Sequence, residues 1–75
     1  MSSASEINLI DIGWPVSLLK CNNELIRMKH GDKLDVLVDD PEVANALMLI
    51  IDHSEDHSAR LLEQNGHIRI TITRP

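Results

Sequence analysis

The chain has 75 residues, of which 43% are hydrophobic, and 12 acidic against seven basic residues give it a formal net charge of −5. A chain of this size folds as one small domain with a modest core, and its apolar content is that of a globule, not of a disordered segment. The acidic balance disfavours binding to a phosphate backbone, and one Trp with neither Phe nor Tyr excludes base stacking as a main binding mode.

The N-terminal residues have neither the basic region nor the apolar run of a signal peptide, and no apolar run approaches the roughly 20 residues that span a bilayer. The single Cys21 has no partner for an internal disulfide. We therefore expect a cytoplasmic protein without membrane contact. A single domain over residues 1–75 is predicted, with residues 1–6 flexible because they are mostly small and polar.

The first predicted elements are a short strand and a helix. Ile7–Ile12 alternates imperfectly and predicts a strand that ends in a turn at Gly13. Pro15 suits the first position of a helix, because the N–H that it lacks has no intrahelical partner there. Trp14 then takes the N-cap position without an acceptor oxygen, so the first-turn amides are left to water, to Ser17 or to an anionic ligand.

This first helix is predicted to be amphipathic. Its apolar stripe consists of Trp14, Leu18, Cys21, Leu25 and Met28. Leu19 and Ile26 lie beside this stripe. Gly31 is typical of the position just past a helix C-terminus. Lys33–Val38 alternates as a second strand, which a βαβ unit places parallel to the first.

A second helix begins with three local signals. Asp40 is predicted as its N-cap, Pro41 as its first residue, and Glu42 as a negative charge at the positive end of the helix dipole. Its predicted buried stripe is Val43, Ala46, Leu47, Ile50 and Ile51.

The C-terminal part predicts a β-hairpin. Ser58–Gln64 and His67–Arg74 flank Asn65-Gly66, a dipeptide typical of a two-residue hairpin turn. The element order is then βαβαββ. It predicts an α+β fold, a two-layer α/β sandwich with a mixed four-stranded sheet and both helices on one face.

With this pattern in place, the chain resembles the TusA family of small sulfur carriers, also called SirA-like. The resemblance covers about residues 7–74 and is carried by Asp11-x-Gly13-x-Pro15, the spacing from that turn to Gly31-Asp32-x-Leu34, the triplet Asp39-Asp40-Pro41 and the final hairpin. It implies the same βαβαββ fold.

Members of that family carry Cys-Pro-x-Pro at the start of the first helix, where the cysteine accepts a persulfide and passes its sulfur on. The resemblance sets this motif against Trp14-Pro15-Val16-Ser17, so that Trp14 stands at the cysteine position and Ser17 at that of the second proline. Of the basic residues that follow in the family, only Lys20 is kept. An indole cannot form a persulfide, so the resemblance implies a divergent sulfurtransferase homologue without the family's nucleophile.

The preferred hypothesis is a protein-binding module with no catalytic residue and no cofactor. The residues expected to form its binding surface are Gly13, Trp14, Pro15, Val16, Ser17 and Lys20. The resemblance implies a sulfur-relay component as the partner. If Trp14 is exposed beside free helix-end amides, it is typical of an interface anchor. An equally supported interpretation is that Trp14 covers the edge of the core and has only a structural role.

Two other functions are alternatives. Sulfur transfer through Cys21 is the enzymatic alternative, although its place on the apolar stripe predicts core packing and a raised thiol pKa. RNA binding through the sheet face is a second alternative, which the net charge disfavours.

One pair of histidines is a weak candidate for a metal site. His53 and His57 are spaced as a metal pair on one helix face, but the acidic residues around them predict a solvated helix end.

Overall fold

The structure is a computed structural model that describes residues 4–75. Four strands and two helices follow one another as β1 Ala4–Asn8, α1 Val16–Arg27, β2 Lys33–Val38, α2 Pro41–Asp52, β3 Ser58–Gln64 and β4 His67–Thr73. The predicted α+β class and two-layer sandwich are confirmed, with both helices against one face of the sheet. Each helix has 12 residues, and none in the described part of the chain is long and apolar enough to cross a bilayer.

The sheet is mixed and has the strand order β1-β2-β4-β3. β1 and β2 pair in parallel, with Ala4 opposite Lys33 and Asn8 opposite Leu37. β4 lies between β2 and β3 and is antiparallel to both. Because β1 and β2 are parallel, the ends that lead into α1 and α2 lie at the same edge of the sheet.

The two central strands supply much of the core. Their buried residues alternate with half-buried or exposed ones, and they are Leu34, Val36, Val38, Ile68, Ile70 and Ile72. This alternation puts every second side chain against the helices, as predicted. Full burial of an aliphatic side chain contributes roughly 1.5 to 3 kcal/mol, so this face is a main source of stability.

The start of α2 is as predicted. Asp40 is the N-cap and its Oδ1 accepts the Glu42 N–H at 2.9 Å, with Pro41 at the first helical position. The buried residues are Val43, Ala44, Leu47 and Ile51. The predicted stripe was wrong at Ile50, which is 38% exposed, and Ala46 is only half-buried. The small Ala44 lies fully buried instead, which lets the helix approach the sheet closely.

The predicted hairpin between β3 and β4 is confirmed. Asn65 and Gly66 have φ angles of 50° and 79°, and a type I′ turn requires positive φ at both central residues. Gln64 then pairs with His67, and β4 ends at Thr73, one residue earlier than predicted.

β1 begins three residues before and ends four residues before the strand predicted at Ile7–Ile12. Its limits are set by its register with β2, and the chain turns after Asn8. The segment 1–6, predicted to be flexible, overlaps β1 at residues 4–6. Residues 1–3 lie outside the described part of the chain.

α1 begins at Val16, one residue later than predicted, and Pro15, not Trp14, is its N-cap. The Trp14–Pro15 peptide bond is cis. The buried side of the helix is a single row of Ser17, Cys21 and Leu25, followed by Met28. The predicted apolar stripe is buried at Cys21, Leu25 and Met28 and half-buried at Leu18, and it was wrong at Trp14, which is 47% exposed. The residues predicted to flank it, Leu19 and Ile26, are exposed by 59% and 73%.

The end of α1 also differs from the prediction. The helix ends at Arg27 with Met28 as an extended C-cap, so Gly31 does not directly follow it. Gly31 has a φ of 90° in the connection to β2, and its N–H donates to the Arg74 carbonyl at 2.6 Å. The Arg74 guanidinium donates to the Met28 carbonyl. Residues distant in sequence therefore supply the contacts that a local glycine cap was expected to make.

On the open face of the sheet, Arg69 is paired with carboxylates of the neighbouring strands. Arg69 Nη1 donates to Glu6 Oε2 at 3.1 Å and to Asp35 Oδ2 at 2.9 Å, and the Thr71 hydroxyl donates to Asp35 Oδ1 at 2.8 Å. The hydrogen bond to Glu6 is the largest cause of the raised pKa of Arg69. The Arg69 charge is therefore paired, whereas Lys33 and Arg60, which are exposed on the same face, form no ion pair within residues 4–75.

Candidate functional site

Trp14 lies in the connection between β1 and α1, and 47% of it is exposed. The connection begins with a turn in which the Ile12 N–H donates to the Leu9 carbonyl at 3.1 Å. Within it, Asp11 has a φ of 65°, the left-handed conformation that Asp tolerates better than most residues. The predicted turn residue was Gly13, but the residue with positive φ is Asp11. Leu9, 2% exposed, anchors the connection in the core.

No side chain caps the first turn of α1. The Ser17 N–H donates to the Gly13 carbonyl at 3.0 Å, and the Leu19 N–H donates to the Pro15 carbonyl at 3.1 Å. The Ser17 side chain is fully buried, and its hydroxyl has no hydrogen-bond partner within residues 4–75. Ser17 therefore faces the core at the mouth of the helix and not the surface beside Trp14.

An open cleft of about 680 Å³ lies beside Trp14. It is bounded by the β1–α1 connection on one side and by the start of α2 on the other. Its lining residues are Asp11, Ile12, Gly13, Trp14, Asp39, Asp40, Pro41, Glu42, Val43 and Ala46. Both connections leave parallel strands at the same edge of the sheet, so the two walls of the cleft meet there.

Hydrophobic and charged residues are separated by depth in this cleft. Val43 is buried, and Ile12 and Ala46 are half-buried. All four acidic lining residues are exposed, so they form the rim: Asp11, Asp39, Asp40 and Glu42. The cleft thus combines an apolar interior, one aromatic wall and an acidic rim.

The lining contains no Cys, Ser, Thr, His, Lys or Arg. Carboxylates are its only ionisable groups, and Asp40 already serves as the N-cap of α2. Such a set can bind and orient a partner, but it holds neither a thiol nor a hydroxyl to act as a nucleophile.

The structure brings only part of the predicted binding set together. Gly13 and Trp14 line the cleft, whereas Pro15 and Val16 are exposed beside it without lining it. Ser17 is buried. Lys20 lies one turn further along α1 and borders a different, smaller depression.

Cys21 is 1% exposed and packs in the core between the helix and the sheet. Burial, and then the charge of Glu24, raise the pKa of its thiol to about 11. The predicted core packing is confirmed. At neutral pH the side chain is a protonated thiol without access to solvent, which is the opposite of what a sulfur-accepting cysteine needs.

His53 and His57 are not held together as a pair. α2 ends at Asp52; after it, His53 Nδ1 lies 2.6 Å from the Leu49 carbonyl, and His57 Nδ1 lies 2.9 Å from the Ser54 hydroxyl. Within the described residues no group of three or more His, Cys, Asp or Glu side chains could hold a metal ion.

The second wall of the cleft was not predicted from the sequence. Asp39, Asp40 and Glu42 were interpreted as the start of a helix, which they are, but they also line the cleft with Trp14. The available signal was the βαβ unit. The loops that follow two adjacent parallel strands meet at one edge, even though Asp11 and Asp39 are far apart in sequence.

Comparison with known proteins found no family model, no curated protein and no solved structure that matches the chain. The resemblance to the TusA family therefore rests on the segment around Trp14, the spacing to Gly31 and the Asp39-Asp40-Pro41 triplet.

Proposed function

We propose that this protein is a divergent, TusA-like sulfur-carrier homologue that acts as a non-catalytic protein-binding module. In this role it presents Trp14, Pro15 and the first turn of α1 to a partner protein, for which a component of a cytoplasmic sulfur relay is the first candidate. The βαβαββ fold is the one that the resemblance implies, and the segment that carries the resemblance borders the open cleft of about 680 Å³.

The observation that carries the proposal is the exposure of Trp14. A large aromatic side chain that remains 47% exposed beside a cleft leaves apolar area in water, and a partner that covers it gains that burial energy. Trp is also one of the residues enriched among interface hot spots. The four exposed acidic residues around the cleft form the polar rim that such interfaces usually have.

The absence of a usable thiol supports a non-catalytic role. The position of the family's cysteine holds an indole, and the one cysteine of the chain is buried with a raised pKa. The enzymatic alternative, transfer through Cys21, would need the thiol to leave the core. For RNA binding, the open sheet face offers Arg69, whose charge is already paired with Glu6 and Asp35. It also offers Lys33 and Arg60, which form no ion pair within residues 4–75, but two such cations are few for phosphate-backbone binding by a chain with a formal net charge of −5.

The first experiment tests Trp14 as the anchor. The wild-type protein, Trp14→Ala and the control Ile26→Ala, which removes another exposed apolar side chain from α1, are immobilised at equal density and used to capture proteins from cell extract. Captured proteins are identified by mass spectrometry, and far-UV circular dichroism verifies folding. We expect one protein to be retained by wild type and Ile26→Ala and lost with Trp14→Ala. Equal retention by all three variants contradicts the proposal.

A second experiment separates the module from the carrier. The protein is incubated with a cysteine desulfurase and cysteine, and its intact mass is then measured. The proposal predicts no added sulfur mass on Cys21. A persulfide on Cys21 that disappears in Cys21→Ala would instead establish the enzymatic alternative.

A further inference from the structure

We propose that the cleft beside Trp14 binds a basic segment of the partner protein, with a Lys or Arg side chain laid against the indole. This inference rests on the proposed function and specifies the chemistry of the partner. It depends on the charge, the apolar interior and the open shape of the cleft.

The negative charge of the cleft favours a cationic partner. Asp11, Asp39, Asp40 and Glu42 give the lining a formal charge of −4, and no Lys, Arg or His lines it. The N-termini of α1 and α2 both point toward this edge, and each contributes roughly half a positive charge. The sum is about −3, so the helix dipoles reduce the negative charge of the cleft without reversing it.

The carboxylates retain acceptor capacity for a ligand. Asp39 Oδ1 accepts the Asp11 N–H at 3.4 Å, and Asp40 Oδ1 accepts the Glu42 N–H at 2.9 Å, so each uses one oxygen. None of the four acidic residues forms an ion pair with a cation in residues 4–75. A Lys or Arg from a partner would be the first cation to pair with them.

The arrangement favours several separated positive charges over one metal ion. No three acidic side chains in the described part of the chain are close enough to hold a metal. Charges spread along an open cleft of about 680 Å³ instead match a peptide whose basic side chains are spaced along its backbone.

Trp14 and the apolar interior suit the rest of a basic side chain. An ammonium or guanidinium over an indole face is attracted by about 0.5 to 1 kcal/mol at an exposed site. The methylene stem of Lys or Arg packs on apolar surface while its charged end stays in water. Val43 and Ile12 supply such a surface next to the acidic rim.

The single Trp provides the readout. Because the chain has no Tyr and no other Trp, its intrinsic fluorescence reports on Trp14 alone. The protein is titrated with heptalysine and with heptaglutamate at 50 and 200 mM salt. We expect heptalysine to change the Trp14 emission saturably, with weaker binding at the higher salt, and heptaglutamate to leave it unchanged. No saturable response to heptalysine, or an equal response to both peptides, overturns the inference.

Isosteric variants localise the binding. The test variant, Asp11→Asn with Glu42→Gln, removes two charges from the cleft. The control variant, Asp52→Asn with Glu55→Gln, removes two charges near the other end of α2. A 12-residue helix is about 18 Å long, so the two ends are separated by roughly that distance. We expect the first pair to weaken heptalysine binding by about tenfold and the second by less than about twofold, because charges beyond the Debye length are screened. Equal losses from both pairs would mean non-specific attraction to an acidic protein and would overturn the inference.

The two proposals fail in different ways. If Trp14→Ala abolishes capture of the partner protein while Asp11→Asn with Glu42→Gln does not weaken it, the module stands and the basic segment is rejected. If heptalysine binds the cleft but partner capture is insensitive to Trp14→Ala, the proposed function is rejected, and with it the basic segment of that partner.

Discussion

The backbone N–H of Asp11 donates to Oδ1 of Asp39 at 3.4 Å and so joins the two connections that enclose the Trp14 cleft. The contact links residues 28 positions apart in sequence. It is long for a hydrogen bond, and its role is to hold the β1–α1 connection next to the start of α2.

This contact leads to a prediction for Asp39. Asp39→Ala removes the acceptor and should lower the free energy of unfolding by about 0.5 to 1 kcal/mol, whereas Asp39→Asn keeps an amide oxygen there and should lose less than half of that. Urea unfolding followed by far-UV circular dichroism measures both. Equal losses from the two variants would show that the charge, and not the acceptor, is what matters.

Burial of Cys21 predicts that its thiol is protected. In the native protein at pH 8, iodoacetamide should leave Cys21 unmodified over a time in which the urea-unfolded chain reacts completely, because the folded thiol is 1% exposed and protonated. Intact-mass measurement distinguishes the two. Rapid alkylation of the folded protein would reopen the possibility of sulfur transfer through this residue.

The raised pKa of Cys21 also predicts a loss of stability in base. The thiol ionises at about 9.0 in the unfolded chain and at about 11 in the folded protein, so the unfolded state loses its proton first. Its contribution is therefore fully present below pH 9 and falls between pH 9 and 11, by on the order of 2 to 3 kcal/mol for two pKa units. Stability is measured against pH for wild type and Cys21→Ala, and the difference between the two curves isolates the thiol from Lys and Arg. A difference that does not change with pH contradicts the assignment.

Ser17 predicts a stabilising substitution. Its buried hydroxyl has no partner in the described chain, so Ser17→Ala should raise the free energy of unfolding by about 1 kcal/mol. The substitution removes an unpaired polar group, and alanine also has a higher helix propensity than serine. Asn45→Ala, at an exposed position of α2, is the control for helix propensity alone. Thermal and urea unfolding provide the comparison. A gain no larger than that of the control would mean that the hydroxyl is satisfied by water.

Two glycines should respond differently to the same substitution. Gly31 has a φ of 90°, so Gly31→Ala should destabilise the protein by about 1 to 2 kcal/mol. Gly13 has no positive φ, and a Cβ there would meet nothing within 4 Å, so Gly13→Ala should be neutral or slightly stabilising. Urea unfolding tests the pair. A large loss at Gly13 would show that the turn before Trp14 depends on glycine after all.

Local chemistry determined most of the fold. β2 and the β3–β4 hairpin have the bounds predicted from the sequence to within one residue, and α2 begins at the predicted residue. Strand alternation, the Asp40-Pro41 start and the Asn65-Gly66 turn made this possible, because each acts over a few neighbouring residues. The same locality made the burial of Cys21 predictable from its place on a helical stripe.

Tertiary pairing decided the rest. β1 covers Ala4–Asn8 and not Ile7–Ile12, because its limits come from the register with β2 and not from its own apolar residues. The exposure of Trp14 could not be predicted from the residues next to it in sequence, because it depends on how the connection before α1 passes over the core. The cleft itself exists only because two parallel strands bring Asp11 and Asp39, distant in sequence, to one edge of the sheet.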